Sequence, residues 1–228
     1  MRYALLVLIL AGVAAGAGVT LRGQSTFRLH AASAETEAVP LVVVLHGDHE
    51  DSRASLRRWQ TAVEARGWEL LALDCPRDRG CEDGSWYRWN GNPRWLRDRV
   101  HDVTSKRAID PTRIYLVGWS GGATYIGMHL QAWPDLFAAV VIHGGGVPPR
   151  NAHCIDRTFP AYFLVGDQNP AHGAAVRLRD HFDRCGQEVK WDLVPGANHP
   201  REDAALTRAK ADAILRWLYE RRRNDALS

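Results

Sequence analysis

Apolar residues along the chain are concentrated in six short runs, and the longer segments between the runs place apolar residues at helical spacing. Runs of four or five residues rich in Val, Leu or Ile predict strands buried on both faces of a parallel sheet. The predicted strands are 41–45, 70–73, 114–117, 138–142, 161–165 and 190–194. The predicted helices are 52–64, 95–107, 120–131, 172–184 and 201–222. The pattern therefore predicts an α/β fold with a mostly parallel sheet of about six strands and helices on both faces.

The first forty residues have a different pattern. A basic residue at position 2 precedes an apolar stretch over 4–19, with small residues at 15–17, an order typical of a secretory signal peptide. We predict a signal peptide over 1–17, with cleavage after 34 or retention as an N-terminal membrane anchor as alternatives. The polar stretch 21–39 is expected to be mobile, and 35–228 to form one domain. This domain is expected to be secreted or periplasmic.

Four cysteines agree with export, because an even number of cysteines suits an oxidising compartment. Three pairings are possible, and we predict Cys75 with Cys81 and Cys154 with Cys185. Four reduced, buried thiols would instead suit a cytosolic protein.

Composition excludes several classes of function. With 46% hydrophobic and 24% charged residues, the chain is neither disordered nor a multi-span membrane protein. The net charge is only +3 and the basic residues are scattered, so the chain lacks the clustered positive charge typical of proteins that bind nucleic acid. We expect no metal and no other cofactor, because His46 and His49 lie in one turn without a third ligand at a suitable spacing.

Residues 118–122 read Gly-Trp-Ser-Gly-Gly and join a predicted strand to a predicted helix. This is the G-x-S-x-G nucleophile elbow in the strand–turn–helix context that its strained turn needs. The turn that follows the first predicted strand, at 45–48, belongs to the same edge of the sheet. We predict Ser120 as the nucleophile, with the backbone N–H groups of Asp48 and Gly121 as the oxyanion hole. His46 is interpreted as a structural residue of the loop.

His199 lies on a Gly-rich loop after the last predicted strand, where it would accept the proton of the nucleophile. It is the predicted general base. His143 follows the fourth predicted strand and is interpreted as a wall of the site.

These motifs resemble the α/β-hydrolases, and within them the small secreted esterases grouped with polyhydroxyalkanoate depolymerases and feruloyl or acetylxylan esterases. The resemblance covers about 41–218, and 108–115 is similar to the family's lead-in to the nucleophile strand. It implies a triad in the order Ser, acid, His. The family's acid stands three residues after a Gly, which here would be Asn169, counted from Gly166. We favour Asp167 as the acid, because only a carboxylate stabilises the protonated imidazole, and keep Asn169 as the alternative.

The predicted site is open, because the connection over 144–158 is too short for a large cap. An open site favours bulky or polymeric esters, and Trp119, Trp86 and Trp89 are the candidate substrate-binding residues. The sequence thus predicts an exported serine esterase that forms an acyl-enzyme. A serine peptidase, a lipase and a catalytically weak binding module of the same fold remain alternatives. No nucleic-acid partner is expected, and a membrane contact is expected only through an uncleaved N-terminal segment.

Overall fold

The computed structural model describes residues 17–21, 24–29, 37–151 and 153–223. Its centre is an eight-stranded sheet with the strand order β1-β2-β4-β3-β5-β6-β7-β8. The strands are β1 (Ala17–Leu21), β2 (Gln24–Leu29), β3 (Val39–Leu45), β4 (Glu69–Leu73), β5 (Ile109–Trp119), β6 (Ala139–His143), β7 (Ala161–Gly166) and β8 (Val189–Val194). Neighbouring strands from β3 to β8 run parallel, whereas β1 pairs with β2 and β2 with β4 in the antiparallel sense. The predicted six-stranded parallel sheet is confirmed.

Six α-helices connect and cover these strands in the described part of the chain. They are α1 (Ser52–Glu64), α2 (Trp95–Thr104), α3 (Gly121–Met128), α4 (His172–Arg184), α5 (His199–Ala205) and α6 (Arg208–Tyr219). Short 3-10 turns lie at Arg77–Arg79, Trp86–Arg88 and Leu130–Ala132. Among the residues described, none of the helices combines the length and the apolar character that a membrane span requires.

The core lies in two layers, because successive side chains of a strand point to opposite faces of the sheet. On β3, Leu41, Val43 and Leu45 pack into the layer under α2, α3 and α4, while Val42 and Val44 pack against α1 and α6. Each of these five side chains is at most 1% exposed. The parallel strands are therefore covered on both faces, and their carboxyl ends form the edge that carries the chemistry.

Two regions differ from the sequence-based expectation. The stretch expected to be mobile contains β2, whose sequence QSTFRL mixes polar and apolar residues and lacks the continuous apolar run of a doubly covered strand. The single helix predicted over 201–222 is two helices, because Leu206 leaves the helical conformation and the Thr207 hydroxyl accepts the Lys210 N–H to start α6. Residues 1–16 lie outside the described residues, so the signal peptide and the domain boundaries stay predictions.

Both predicted disulfides are present. One joins Cys75 to Cys81 in the loop after β4, and the other joins Cys154, before β7, to Cys185 at the end of α4. The described part of the chain has no free cysteine. The second bridge closes 31 residues and ties an irregular connection to a packed helix.

Candidate active site

Ser120 lies at the point where β5 ends and α3 begins. Its backbone has φ 50° and ψ −111°, a strained conformation that non-glycine residues seldom adopt. Flanking glycines permit the tight turn. A Cβ on Gly118 would lie 2.5 Å from the Ala123 nitrogen, and one on Gly122 would lie 2.6 Å from the Leu45 carbonyl oxygen. The sequence thus builds a nucleophile elbow because only glycine allows this approach of backbone to backbone.

Two backbone N–H groups beside Ser120 are available to a ligand. Within the described residues, the N–H groups of Asp48 and Gly121 donate to no other group of the protein. Their neighbours are engaged: Ser120 N–H donates to His143 O at 2.8 Å, and Gly122 N–H donates to a carbonyl of the β3 loop at 3.1 Å. The two N–H groups predicted as an oxyanion hole are therefore both unengaged.

The Asp48 side chain folds over the start of α3. Its Oδ1 accepts the Ser85 hydroxyl at 2.9 Å, and a Cβ on Gly121 would collide with its carboxyl group. Burial raises the pKa of Asp48. A glycine is thus required at position 121 for steric reasons as well as for the turn.

The buried histidines His46 and His143 support the site from below. His46 Nε2 accepts the Cys75 N–H at 3.1 Å, so its Nδ1 carries the proton and donates to Gly47 O at 2.6 Å. His143 Nε2 donates to the Glu202 carbonyl at 3.0 Å, and burial lowers its pKa to about 4. Burial lowers the pKa of both rings and keeps them neutral, which suits a structural role rather than proton transfer.

His199 is the first residue of α5, and its ring is partly exposed at the sheet edge. The preceding Asn198 caps the helix by accepting the Arg201 N–H. The His199 ring stacks on Trp119, with ring centroids 4.5 Å apart and planes 11° apart. Burial lowers the pKa of His199, which keeps the ring neutral near pH 7. In the described residues the Ser120 hydroxyl has no hydrogen bond to this ring, and such contacts often tighten only with substrate bound.

Asn169, not Asp167, lies against the His199 ring. Asn169 is 7% exposed, and its Nδ2 is 2.9 Å from Nδ1 of His199. The Asp167 carboxylate instead accepts the Gly196 N–H at 2.7 Å and is partly exposed. The preference for Asp167 is thus corrected by the geometry: the loop from β7 to α4 turns after Gly166, which carries residue 167 outward and returns residue 169 to the edge.

Glu202 stands behind Asn169, and the sequence-based site did not include it. Its side chain is fully buried, and its Oε2 accepts a hydrogen bond from Asn169 Nδ2. Burial raises the pKa of Glu202 to about 7, against the opposing effect of hydrogen bonds from Asn169 and from the backbone of Gly166 and Gly144. The only sequence signal for this residue was its spacing of three from His199 on one helix.

Three charged side chains brace the loop after β3. Arg58 binds both carboxylate oxygens of Glu50, at 2.7 and 2.8 Å, and donates to Asp203 at 2.7 Å. Glu50 also accepts the Gly47 N–H at 2.9 Å, and the Arg58 guanidinium lies 5.1 Å above the Trp119 ring. The ring that stacks on the histidine is thus held by the same cluster that fixes the β3 loop.

The aromatic residues proposed for substrate binding divide into two groups. Trp119 lies at the site but is 6% exposed, so it supports the histidine more than it offers a surface. Trp86 and Trp89 are 0% and 3% exposed and pack against Trp95 and Tyr125, so their proposed role in binding substrate is wrong. Aromatic rings at a loop can gain more from burial than from exposure.

The comparisons with known proteins agree with this geometry. The model of the prolyl oligopeptidase family matches residues 98–172. Poly(3-hydroxyalkanoate) depolymerase C of Paucimonas lemoignei is 27% identical over 185 residues, 74% of this chain, and the chain spans 42% of that relative. A thermostable esterase superposes with a TM-score of 0.68 at 20% identity, covering 87% of this chain and 59% of that one. Est1E from Butyrivibrio proteoclasticus gives 0.64 at 13% identity, covering 90% and 99%.

The chain has the α/β-hydrolase fold, as the order of its strands and these structural neighbours show. In sequence it is similar to this poly(3-hydroxyalkanoate) depolymerase and, also at 27% identity, to a putative esterase of Nocardia uniformis.

Proposed function

We propose that the protein hydrolyses carboxylic esters through an acyl-enzyme, with Ser120 as the nucleophile and His199 as the general base. The observation that carries the proposal is the strained Ser120 backbone beside two unengaged N–H groups. Strain at a single residue persists where a function needs it. Asn169 would orient the His199 ring in place of a triad acid.

The proposed reaction has two halves. Ser120 attacks the ester carbonyl while His199 takes the serine proton, and the proton is then given to the leaving alcohol. The developing oxyanion is held by the N–H groups of Asp48 and Gly121, each worth about 3 kcal/mol in a water-poor site. Water then attacks the acyl carbon while His199 takes a proton from it, and the bond from Ser120 to the acyl group breaks as that proton passes to Ser120, which releases the acid.

The proposed substrates are bulky or polymeric esters. In support, the described residues between β6 and β7 form no helix, so that connection adds no cap over the edge. The similarity to a poly(3-hydroxyalkanoate) depolymerase points in the same direction. We also propose export from the cytoplasm, supported by the two disulfides.

A fluorophosphonate probe and p-nitrophenyl acetate test the chemistry together. We expect the wild-type protein to be labelled and to release p-nitrophenol, and Ser120→Ala to do neither. Ser105→Ala, at an exposed position after α2, is the matched control and should behave as wild type. Labelling that persists in Ser120→Ala would refute the choice of nucleophile.

A serine peptidase is the second candidate, favoured by the match of residues 98–172 to the prolyl oligopeptidase family. The same residues would then attack an amide. Comparing kcat/KM for p-nitrophenyl acetate, a suspension of poly(3-hydroxybutyrate) and a proline p-nitroanilide separates the candidates. The first two substrates contain ester bonds, whereas the anilide contains an amide bond that a peptidase would cleave.

A further inference from the structure

The side-chain amide of Asn169 has a defined orientation. Its Oδ1 accepts the Ala171 N–H at 2.9 Å, which turns Nδ2 towards the site. There Nδ2 meets the Glu202 carboxylate, lies 2.9 Å from His199 Nδ1 and lies 3.4 Å from the Gly144 carbonyl. The carboxylate and the carbonyl are both acceptors, as an amide N–H₂ requires, so this end of the side chain is the nitrogen.

This orientation fixes which ring nitrogen of His199 carries a proton. An N–H of Asn169 aimed at Nδ1 makes Nδ1 an acceptor, so the ring proton sits on Nε2. Nε2 is the atom that must accept the serine proton, and the neutral ring in this tautomer cannot accept it there. In the triad template, an Asn in place of the acid lowers kcat about 10⁴-fold for this reason.

Protonation of Glu202 removes the reason for this orientation. A neutral carboxyl group offers an O–H, and the atom that would accept it is Asn169 Oδ1 once the amide has turned over. The same oxygen then accepts an N–H from His199 Nδ1, and Nε2 becomes free for the serine proton. The turn gives up two hydrogen bonds, the one from the Ala171 N–H and the long one to the Gly144 carbonyl, at about 1 kcal/mol each.

We propose that Glu202 is a positioning residue that selects the tautomer of His199 through the Asn169 amide. When Glu202 is ionised, His199 carries its proton on Nε2 and cannot accept the serine proton there. When Glu202 is neutral, the ring can carry its proton on Nδ1, which leaves Nε2 free. The inference rests on the proposed function for its catalytic meaning, but the tautomer itself can be observed without any turnover.

The surroundings of Glu202 leave the carboxyl group few other partners. On its own helix, α5, the ionisable neighbours are His199, Arg201 and Asp203; Arg201 is exposed, and Asp203 is bound to Arg58 of α1. From β6, His143 contacts the Glu202 backbone carbonyl rather than the carboxyl group. The loop after β7 supplies the uncharged Asn169. The carboxyl group therefore acts on the ring through one amide.

Nitrogen-15 spectra of the histidine rings, correlated with the carbon-bound ring protons, report the tautomer directly. We expect His199 of the wild type to carry its proton on Nε2 at pH 8.5 and to gain a population protonated on Nδ1 as the pH falls towards 6. Glu202→Gln should show an Nδ1–H population that does not change over this range. Loss of one set of signals in His199→Gln assigns the ring.

A second variant keeps the proposal testable if Glu202→Gln does not fold. In Asn169→Asp, a carboxylate would accept both the Ala171 N–H and the His199 Nδ1–H, while Glu202 stays protonated and donates to it. We expect the Nδ1–H tautomer across the whole pH range. We also expect kcat at pH 8.5 to rise at least tenfold above wild type with little change in KM.

Kinetics complete the test. Wild-type kcat should fall about tenfold per pH unit above pH 7, and Glu202→Gln should lose this alkaline limb. Glu82→Gln, which replaces an exposed carboxylate on another loop, should keep the wild-type profile.

The proposal is overturned if His199 carries Nδ1–H in the wild type at pH 8.5, or if its tautomer is the same in wild type and Glu202→Gln. If the tautomer changes as expected but a fluorophosphonate does not label the protein, the result would support the effect of Glu202 on His199. It would refute the proposed serine hydrolase function.

Discussion

Replacing Glu202 by Gln should make the protein more stable at neutral pH than the wild type. The side chain is fully buried, and its pKa rises from an ordinary 4.5 to about 7. Between these two values the folded state binds the proton that the unfolded state has released. The free energy of unfolding therefore falls as the pH rises through this window and is constant above it.

The magnitude follows from the size of the shift. At about 1.4 kcal/mol per pKa unit, a change from 4.5 to about 7 corresponds to about 3 kcal/mol of stability lost between pH 4.5 and pH 7.5. A glutamine has nearly the same shape, can still bond Asn169 and does not titrate. The difference in unfolding free energy between the variant and the wild type should thus grow by about 3 kcal/mol across this range.

Urea unfolding followed by circular dichroism at pH 4.5, 5.5, 6.5 and 7.5 measures this difference. The other titrating groups are common to both proteins and cancel in the comparison. Glu82→Gln, at an exposed position, should track the wild type at every pH. Parallel curves for wild type and Glu202→Gln would show that Glu202 does not titrate abnormally, and the reasoning about its burial would fail.

Four further predictions concern the site and the frame. Activity on a soluble ester should fall as the pH drops through a midpoint below 6.5, because burial lowers the pKa of His199 and only the neutral ring accepts a proton; a flat profile from pH 4.5 to 7 would exclude it as the base. Asp167→Asn should keep kcat within about threefold of wild type, because this carboxylate binds Gly196 rather than the ring; a loss of several powers of ten would restore it as the acid. Gly121→Ala should reduce kcat at least a hundredfold by pushing the Asp48 carboxyl group from its place, and unchanged kinetics would refute the packing at the elbow. Ellman's reagent should find no free thiol in the denatured, unreduced mature protein, and two titratable thiols would contradict the bridges.

The fold was largely predictable because each parallel strand is covered on both faces and so needs a continuous apolar run. Tyr115, Leu116 and Val117 of β5 show this, since all are at most 1% exposed. The strand β2 carries no such run, and β1 overlaps the end of the apolar stretch interpreted as a signal peptide, so the same rule did not find them. The elbow at Ser120 was visible because its glycines are required by backbone contacts only a few residues away.

The partners of His199 were harder to predict because they depend on distances between loops. Nothing local distinguishes Asp167 from Asn169, and the choice is made by the course of the loop after Gly166. In the sequence, Glu202 looks like any charged residue on the exposed face of a helix. It is buried because α5 packs against the sheet edge, which no local pattern indicates. Trp86 and Trp89 show the converse, since a loop rich in aromatic residues folded into the core.

The short helix α5 carries both the histidine and the carboxyl group that faces its partner, three residues apart. The two groups therefore lie on one short segment of the chain, whereas Asn169 lies on a separate loop. Loop exchange with a related hydrolase would separate them in a defined way. A graft of the loop after β7 that brings an aspartate would create a pair of facing carboxyl groups, whereas a graft of α5 that lacks the glutamate would leave the amide without its anchor. Recombination between such chains should therefore change the pH dependence of activity whenever the two segments come from different parents.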